Sequence, residues 1–296
     1  MKRILVTGVS GFLGRYVATT LKDHYAVLGT YHRHAIALDE CMLTRLDVTE
    51  VEAVRTTCRE FRPDVVVHTA ALGDVDACER HPDQAHQVNV QGTESIAEGA
   101  DEVGAQLIYI STDQVYDGGQ AHYTEADAPH PLMVYGCTKL EGEHRAAAIC
   151  RDTVILRLAL MYGWGTPSRL NFVDWLVERL RAGQEVPLFV DQYRTPLYVA
   201  QASEVIEQLI DAPEVRGTFN LGGGERLNRY AFGVKLCEVF DLPKALLTPI
   251  EMGSAGGLAA RPRDCSMNSA KISSLLQIMP LTVEEGLCVM RQRRGG

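Results

Sequence analysis

Six short apolar runs rich in β-branched residues recur along the first half of the chain: RILVTG, YAVLGTY, MLTRLDV, DVVVHTA, QLIYIST and TVILRLA. Between several of them lie stretches with helical spacing, notably 51–61 and 84–103. A strand that is apolar nearly throughout must be buried on both faces, and alternation with helices supplies the two covers. The pattern predicts an α/β fold, a doubly wound parallel sheet of Rossmann type. After residue 163 the rhythm loosens, and helical patterns at 171–182, 201–210, 229–240 and 282–293 are separated by Gly- and Pro-rich segments such as MGSAGGLAARPRD. The expected division is a sheet domain over 1–163, with 197–221 returning to it, and a smaller C-terminal lobe from 164–196 and 222–296. A cleft is expected between them.

Composition narrows the functional classes. With 46% hydrophobic and 23% charged residues over 296 positions, the chain reads as an ordinary globular protein able to bury a sizeable core. A net charge of −9 argues against nucleic acid or an anionic membrane as the main partner. The apolar start of MKRILVTGVSG is too short for a signal peptide, and no run approaches a membrane span. The eight cysteines are dispersed without a CxxC pair, which fits the free thiols of a cytoplasmic protein. His32/His34 and His81/His86 lack metal-ligand spacing, so no metal is expected.

The first strand runs into VTGVSGFLG, where Gly8, Gly11 and Gly14 punctuate a turn that also holds Ser10, Phe12 and Leu13 and opens a helix near Phe12. A dinucleotide pyrophosphate needs a tight turn, backbone without a Cβ in the way, and helix N–H groups aimed at the anion. A turn that merely packs is the plainer alternative; the position of the turn in the first strand–helix junction favours cofactor binding. The second strand ends GTYHRH, with Arg33 where an NAD site usually carries an acid, and the next acid is Asp39. Arginine suits a 2′-phosphate, so NADP(H) is preferred and NAD(H) is left open. Asp47 and Val48, after the third strand, are placed to flank the adenine; a helix cap is the alternative for Asp47 or Thr49.

The fifth strand ends in Ser111, Thr112 and Asp113, and ligands in open parallel sheets sit beyond such strand ends. Tyr135 and Lys139, in VYGCTK, are four apart and share a helix face. With eleven tyrosines and six lysines in the chain that spacing alone is weak. Its chemistry is specific, however. A phenol has a pKa of about 10 and donates poorly at neutral pH unless a nearby cation lowers that value. With a hydroxyl from Thr112 to polarise a carbonyl, the trio suits proton transfer coupled to hydride transfer.

VTGVSGFLG, STDQVYDG, VYGCTKLEGE, RLALMYG and RPRDCSMN together resemble an extended short-chain dehydrogenase/reductase, most of all the dTDP-4-dehydrorhamnose reductase family. The resemblance spans residues 6–268. It implies Thr112, Tyr135 and Lys139 as catalytic residues, with Tyr135 and Lys139 also on the cofactor. It further implies Gly8, Gly11 and Gly14 on the pyrophosphate, Ala70 and Ala71 along the cofactor, and a 4-keto nucleotide sugar as substrate. Arg261 and Arg263, with Asn268, fall where such reductases meet the nucleotide diphosphate. Asp76 is expected to face the substrate; Trp164, Asn171 and Phe172 are expected at the pocket mouth, with core packing an equal reading for Phe172.

Departures from the family pattern are informative. Thr112-Asp113-Gln114 replaces the Thr-Asp-Glu of sugar-nucleotide dehydratases, and an amide cannot serve as their base. DQYRTPL carries Arg194 and Leu197 where the reductases often have Gly and Thr, which implies a remodelled pocket. Arg15–Tyr16 offers no carboxylate for the magnesium-bridged dimer of some members, so a homodimer is left open and no metal is carried over. Two alternatives stand beside the reductase: a nucleotide-sugar epimerase, and a cofactor-binding regulatory subunit resembling the methionine adenosyltransferase β subunit.

Overall fold

The computed structural model describes residues 1–166, 170–254 and 259–294; positions 255–258 of the glycine-rich segment lie outside them. The chain runs β1 (Arg3–Thr7), α1 (Phe12–Leu21), β2 (Ala26–Tyr31), β3 (Met42–Arg45), α2 (Val51–Phe61), β4 (Val65–His68), α3 (Val75–Arg80) and α4 (Pro82–His86). A π-helical turn, Gln87–Gln91, leads into α5 (Gly92–Val103), followed by β5 (Gln106–Thr112), α6 (Val134–Ile149) and β6 (Thr153–Leu158). Then come α7 (Phe172–Arg181), α8 (Val199–Ile210), β7 (Gly217–Leu221), α9 (Arg229–Phe240), α10 (Ala270–Leu276) and α11 (Val283–Arg294). The sheet order is β7-β6-β5-β4-β1-β2-β3 and every pairing is parallel.

Strand alternation divides the core between the two faces. Ile4 and Val6 of β1 pack with Val17 and Leu21 of α1 and with Val205 and Ile206 of α8. Leu5, pointing the other way, joins Val54 and Cys58 of α2 and Ile96 of α5. Every residue of β5 and β6 is buried, as their central position requires. The order reverses between β1 and β4, so the turns after β1, β4 and β5 open at one edge of the sheet, where a crevice forms.

The lobe has its own apolar cluster, in which Leu176 and Leu180 of α7, Phe232 and Leu236 of α9 and Leu287 of α11 surround a parallel pair, Val186–Phe189 with Leu247–Ile250. One expectation is corrected here. Cys265 and Met267, together with Ile272 of α10, placed in the lobe by sequence, pack into the sheet-side cluster instead. The reason is the register of this stretch: Met267 bridges to Tyr123, and α10 then lies against β7. Among the described residues all eight cysteines are free thiols, no helix is long and apolar enough to cross a membrane, and no cluster of three or more potential metal ligands occurs.

Candidate active site

The turn after β1 is built to receive an anion. Gly8 adopts φ +73°, a conformation that L side chains rarely adopt, and a Cβ there would lie 2.8 Å from Ala70 Cα. Gly11 N donates to Gly8 O at 2.8 Å, and α1 begins without a side-chain cap or an acid in its first turn. Its leading N–H groups are therefore left for a ligand. These features fit a dinucleotide pyrophosphate. Ser10, Gly11 and Phe12 are part-exposed around the turn, whereas Leu13 is buried in the core. A Cβ on Gly14 would come within 2.4 Å of Gly8 O. Gly14→Ala is accordingly expected to distort the turn and abolish measurable dinucleotide binding by calorimetry, with far-UV dichroism retained.

The adenosine end departs from the sequence picture. Arg33 is exposed just past β2, but the fold brings Asp47 to it. Asp47 Oδ1 accepts from Thr49 N at 3.0 Å and from Thr49 Oγ1 at 2.8 Å, and Oδ2 pairs with His32 Nε2 at 3.1 Å. Burial works against the Asp47 charge, yet these donors and Arg33 hold its carboxyl below the usual value. The Val48 side chain is buried in the core beside Gly92. Ala70 is part-buried beneath Gly8 and Ala71 is exposed.

At the end of β5, Thr112 Oγ1 donates to Asp113 Oδ1 at 3.2 Å and accepts from Gln114 N at 3.2 Å. The Tyr135 phenol lies beside this same Thr112 side chain, close enough for the hydroxyl to act on its titration. Lys139 is buried one turn further along α6, with Nζ 4.1 Å from the centroid of the Tyr109 ring. The fold thus brings the three predicted residues together. Their titration differs from expectation. Burial raises the Tyr135 phenol to about 12, against the opposing Thr112 hydroxyl. Burial likewise lowers Lys139 to about 7, with only Glu143 countering it. Burial dominates the Tyr135 shift and the expected lysine effect is not among its causes, so the phenol is held in its protonated, donor form.

A second polar layer supports the trio and was not foreseen. Glu143 lies one turn beyond Lys139, buried, and Arg157 of β6 grips it with Nε–Oε1 at 2.9 Å and Nη2–Oε2 at 2.6 Å. Ser111 Oγ donates to Glu143 Oε1 at 2.5 Å, and Arg157 Nη1 donates to Tyr116 OH at 2.9 Å. Asn89, in the π-helical turn, holds the loop after β4 to α6. It accepts from Leu72 N at 2.8 Å and donates to Thr138 Oγ1 at 3.1 Å. The i, i+4, i+8 spacing of Tyr135, Lys139 and Glu143 was the available signal; the Arg157 partner was not legible.

Substrate-side expectations divide. Asp76 and Arg261 meet, with Oδ2 and Nη2 3.0 Å apart, tying α3 to the 259–264 loop. The Arg263 side chain is exposed, and its carbonyl accepts from Tyr193 N at 2.6 Å. Three of the residues expected on the substrate side make structural contacts. Trp164 packs edge-on to Phe240 at 5.5 Å, and its indole N–H donates to Met290 O at 3.0 Å within the lobe. Asn171 forms a capping box with Asp174 at the start of α7. Asn268 Oδ1 accepts from Ala270 N at the start of α10. Phe172 packs between Trp175 and Phe232.

Arg194 is buried, with Nε 3.2 Å from Asp113 Oδ2. Asp113 is therefore engaged by a guanidinium inside the protein, and burial raises its carboxyl above the usual range.

The model of the RmlD substrate binding domain matches residues 1–294. The chain belongs to this family. Within its wider circle, the probable low-salt glycan biosynthesis reductase Agl14 of Haloferax volcanii is 35% identical over 96% of each chain. Methionine adenosyltransferase 2 subunit beta of Bos taurus is 32% identical over 93% of this chain and 82% of its own length. The solved dTDP-4-dehydrorhamnose reductase of Bacillus anthracis, in complex with NADP, superposes with a TM-score of 0.86. It is 26% identical and aligns with 99% of this chain and all of its own. The family's fold is thus present along the whole chain, the β5 end and the lobe included.

Proposed function

We propose that this protein is an NADP(H)-dependent reductase of a 4-keto nucleotide sugar, working with Thr112, Tyr135 and Lys139. The observation that carries the reading is the meeting of the Tyr135 phenol with Thr112 at the C-terminal end of β5, one helical turn from buried Lys139. Gly8, Gly11 and Gly14 would hold the dinucleotide pyrophosphate, with Ser10, Phe12, Ala70 and Ala71 beside it. Bound NADPH would supply the hydride. Thr112 would turn its one hydroxyl proton from Asp113 to the substrate carbonyl and so orient it. Tyr135, protonated at neutral pH, would give the proton that turns the carbonyl oxygen into a hydroxyl. Lys139 would hold the cofactor's ribose and, when charged, ease that proton's departure. Arg261, at the mouth of the cleft, would meet the nucleotide.

Oxidation of NADPH with a panel of 4-keto nucleotide sugars is the direct test; absence of turnover with every member would reject the reductase. A second reading draws support from the 32% identity to methionine adenosyltransferase 2 subunit beta. Here the chain would bind the cofactor and act through a partner. Capture of a methionine adenosyltransferase by the pure protein, together with no turnover, would establish that alternative.

NADP preference rests on Arg33. Its exposed guanidinium suits a 2′-phosphate, while Asp47 nearby tempers the charge. Arg33→Ala is expected to weaken NADPH binding and leave NADH binding nearly unchanged, measured by fluorescence titration. Equal losses for both cofactors would remove Arg33 from the 2′-phosphate site.

A further inference from the structure

Tyr109, in the middle of β5, is fully buried against α6, and its hydroxyl donates to Lys139 O at 3.2 Å. The helix is shaped to admit it, because a Cβ on Gly142 would collide with that hydroxyl. With its far end held in this notch, the ring turns its face to the Lys139 side chain, and Nζ lies 4.1 Å from the ring centroid.

Lys139 has no other counterpart. Among the described residues its Nζ enters no ion pair and no hydrogen bond. The other five lysines are answered: Lys2, Lys22, Lys235 and Lys244 each meet a carboxylate, and Lys271 donates to Thr218 O. Glu143 is the acid whose charge reaches Lys139, but its two oxygens are already taken by Arg157 and Ser111. His68 of β4 is also near enough to feel the lysine. Burial, and then the Lys139 charge, lower His68 to about 3, so it stays neutral between Thr7 Oγ1 at 2.7 Å and Thr93 Oγ1 at 3.3 Å. Tyr135, on the lysine's own helix, is neutral as well. An ammonium over the face of an aromatic ring is attracted by the ring quadrupole, and the attraction strengthens where water is excluded.

We propose that Tyr109 is a positioning residue for the reaction, its ring face holding the charged form of Lys139 while the notch at Gly142 fixes the ring. The role in turnover rests on the reductase reading above; the hold on the lysine charge does not. The sign follows from the chemistry. A ring drained of electron density no longer favours the ammonium, so Lys139 loses its proton at lower pH. Starting from about 7, a fall of about one pH unit takes the charged fraction at neutral pH from about one half to about one tenth.

The test reads the lysine directly in the full chain, by NMR titration of carbon-13-labelled lysine ε-carbons. The Lys139 signal is the one absent from Lys139→Arg. Tyr109→Phe keeps the ring and should titrate as wild type. Mono-, tri- and pentafluorinated phenylalanine at position 109 then drain the ring face in steps at nearly constant shape. The Lys139 midpoint should fall with each step, by about one pH unit in all. Tyr109→Leu should give a similar fall, and the fluorinated series decides the matter even if that variant fails to fold. A midpoint unmoved through the series means that the ring only packs, and overturns the proposal. In NADPH oxidation with a 4-keto nucleotide sugar, the high-pH limb of kcat should move down with the midpoint. A fixed limb beside a moving midpoint would take Tyr109 out of the reaction. Wild-type turnover with an unmoved midpoint leaves the reductase standing without Tyr109. A moving midpoint with no turnover for any sugar upholds the ring's hold on Lys139 and rejects the reductase.

Discussion

Tyr135→Phe is expected to lower kcat by about 10²–10⁴, the usual worth of a positioned general acid, with NADPH affinity retained. The substitution removes one hydroxyl and keeps the ring, so the packing of α6 against β5 survives. What it removes is the proton donor that burial keeps protonated, with a pKa of about 12, and that lies beside Thr112. Steady-state kinetics and a cofactor titration on the same preparation check both halves. A variant with near-normal kcat would take Tyr135 out of the chemistry. Lys139→Ala should differ in kind: cofactor affinity and kcat fall together, because Lys139 is assigned both the ribose and the charge beside the phenol. If the chain instead acts only through a partner, Tyr135→Phe has no turnover to lose and leaves partner capture intact.

The second large effect is on stability. Arg157→Ala leaves Glu143 buried without its two charge-assisted hydrogen bonds, and removing one partner of a buried pair typically costs about 3–5 kcal/mol. That is a large share of the roughly 5–15 kcal/mol by which domains are stable. Urea unfolding should show a much lower midpoint with an unchanged slope. Glu143→Leu combined with Arg157→Met should recover much of the loss, since an apolar pair of similar volume avoids desolvating charge. Glu143→Gln adds a functional consequence. Glu143 is what counters the burial of Lys139, so the lysine should lose its proton at still lower pH in this variant. A pH–rate profile identical to wild type would sever Glu143 from the reaction.

How far the chain could be read in advance follows from the range of the forces involved. The parallel sheet, its strands and the first glycine turn were legible because each depends on local pattern: apolar runs buried on both faces, helical spacing between them, and a turn that excludes Cβ atoms. Tyr135 and Lys139 were legible for the same reason, since residues four apart on one helix share a face. Residues whose partners lie far along the chain were not. Trp164, Asn171 and Asn268 looked like pocket residues, and the fold uses them for packing and caps. Arg33 appeared to lack an acid until β3 delivered Asp47 beside it. The titration of Tyr135 and Lys139 was also beyond sequence, because desolvation depends on everything packed around a group and is the largest cause of both shifts. Tyr109 is the extreme case: in sequence it is one residue of an apolar run, and only tertiary packing could lay its ring against the Lys139 ammonium. The sequence determined the strand–helix order and the helix that carries Tyr135 and Lys139. Tertiary structure alone decided which charges are answered, because charge pairing and burial join residues that local pattern cannot relate.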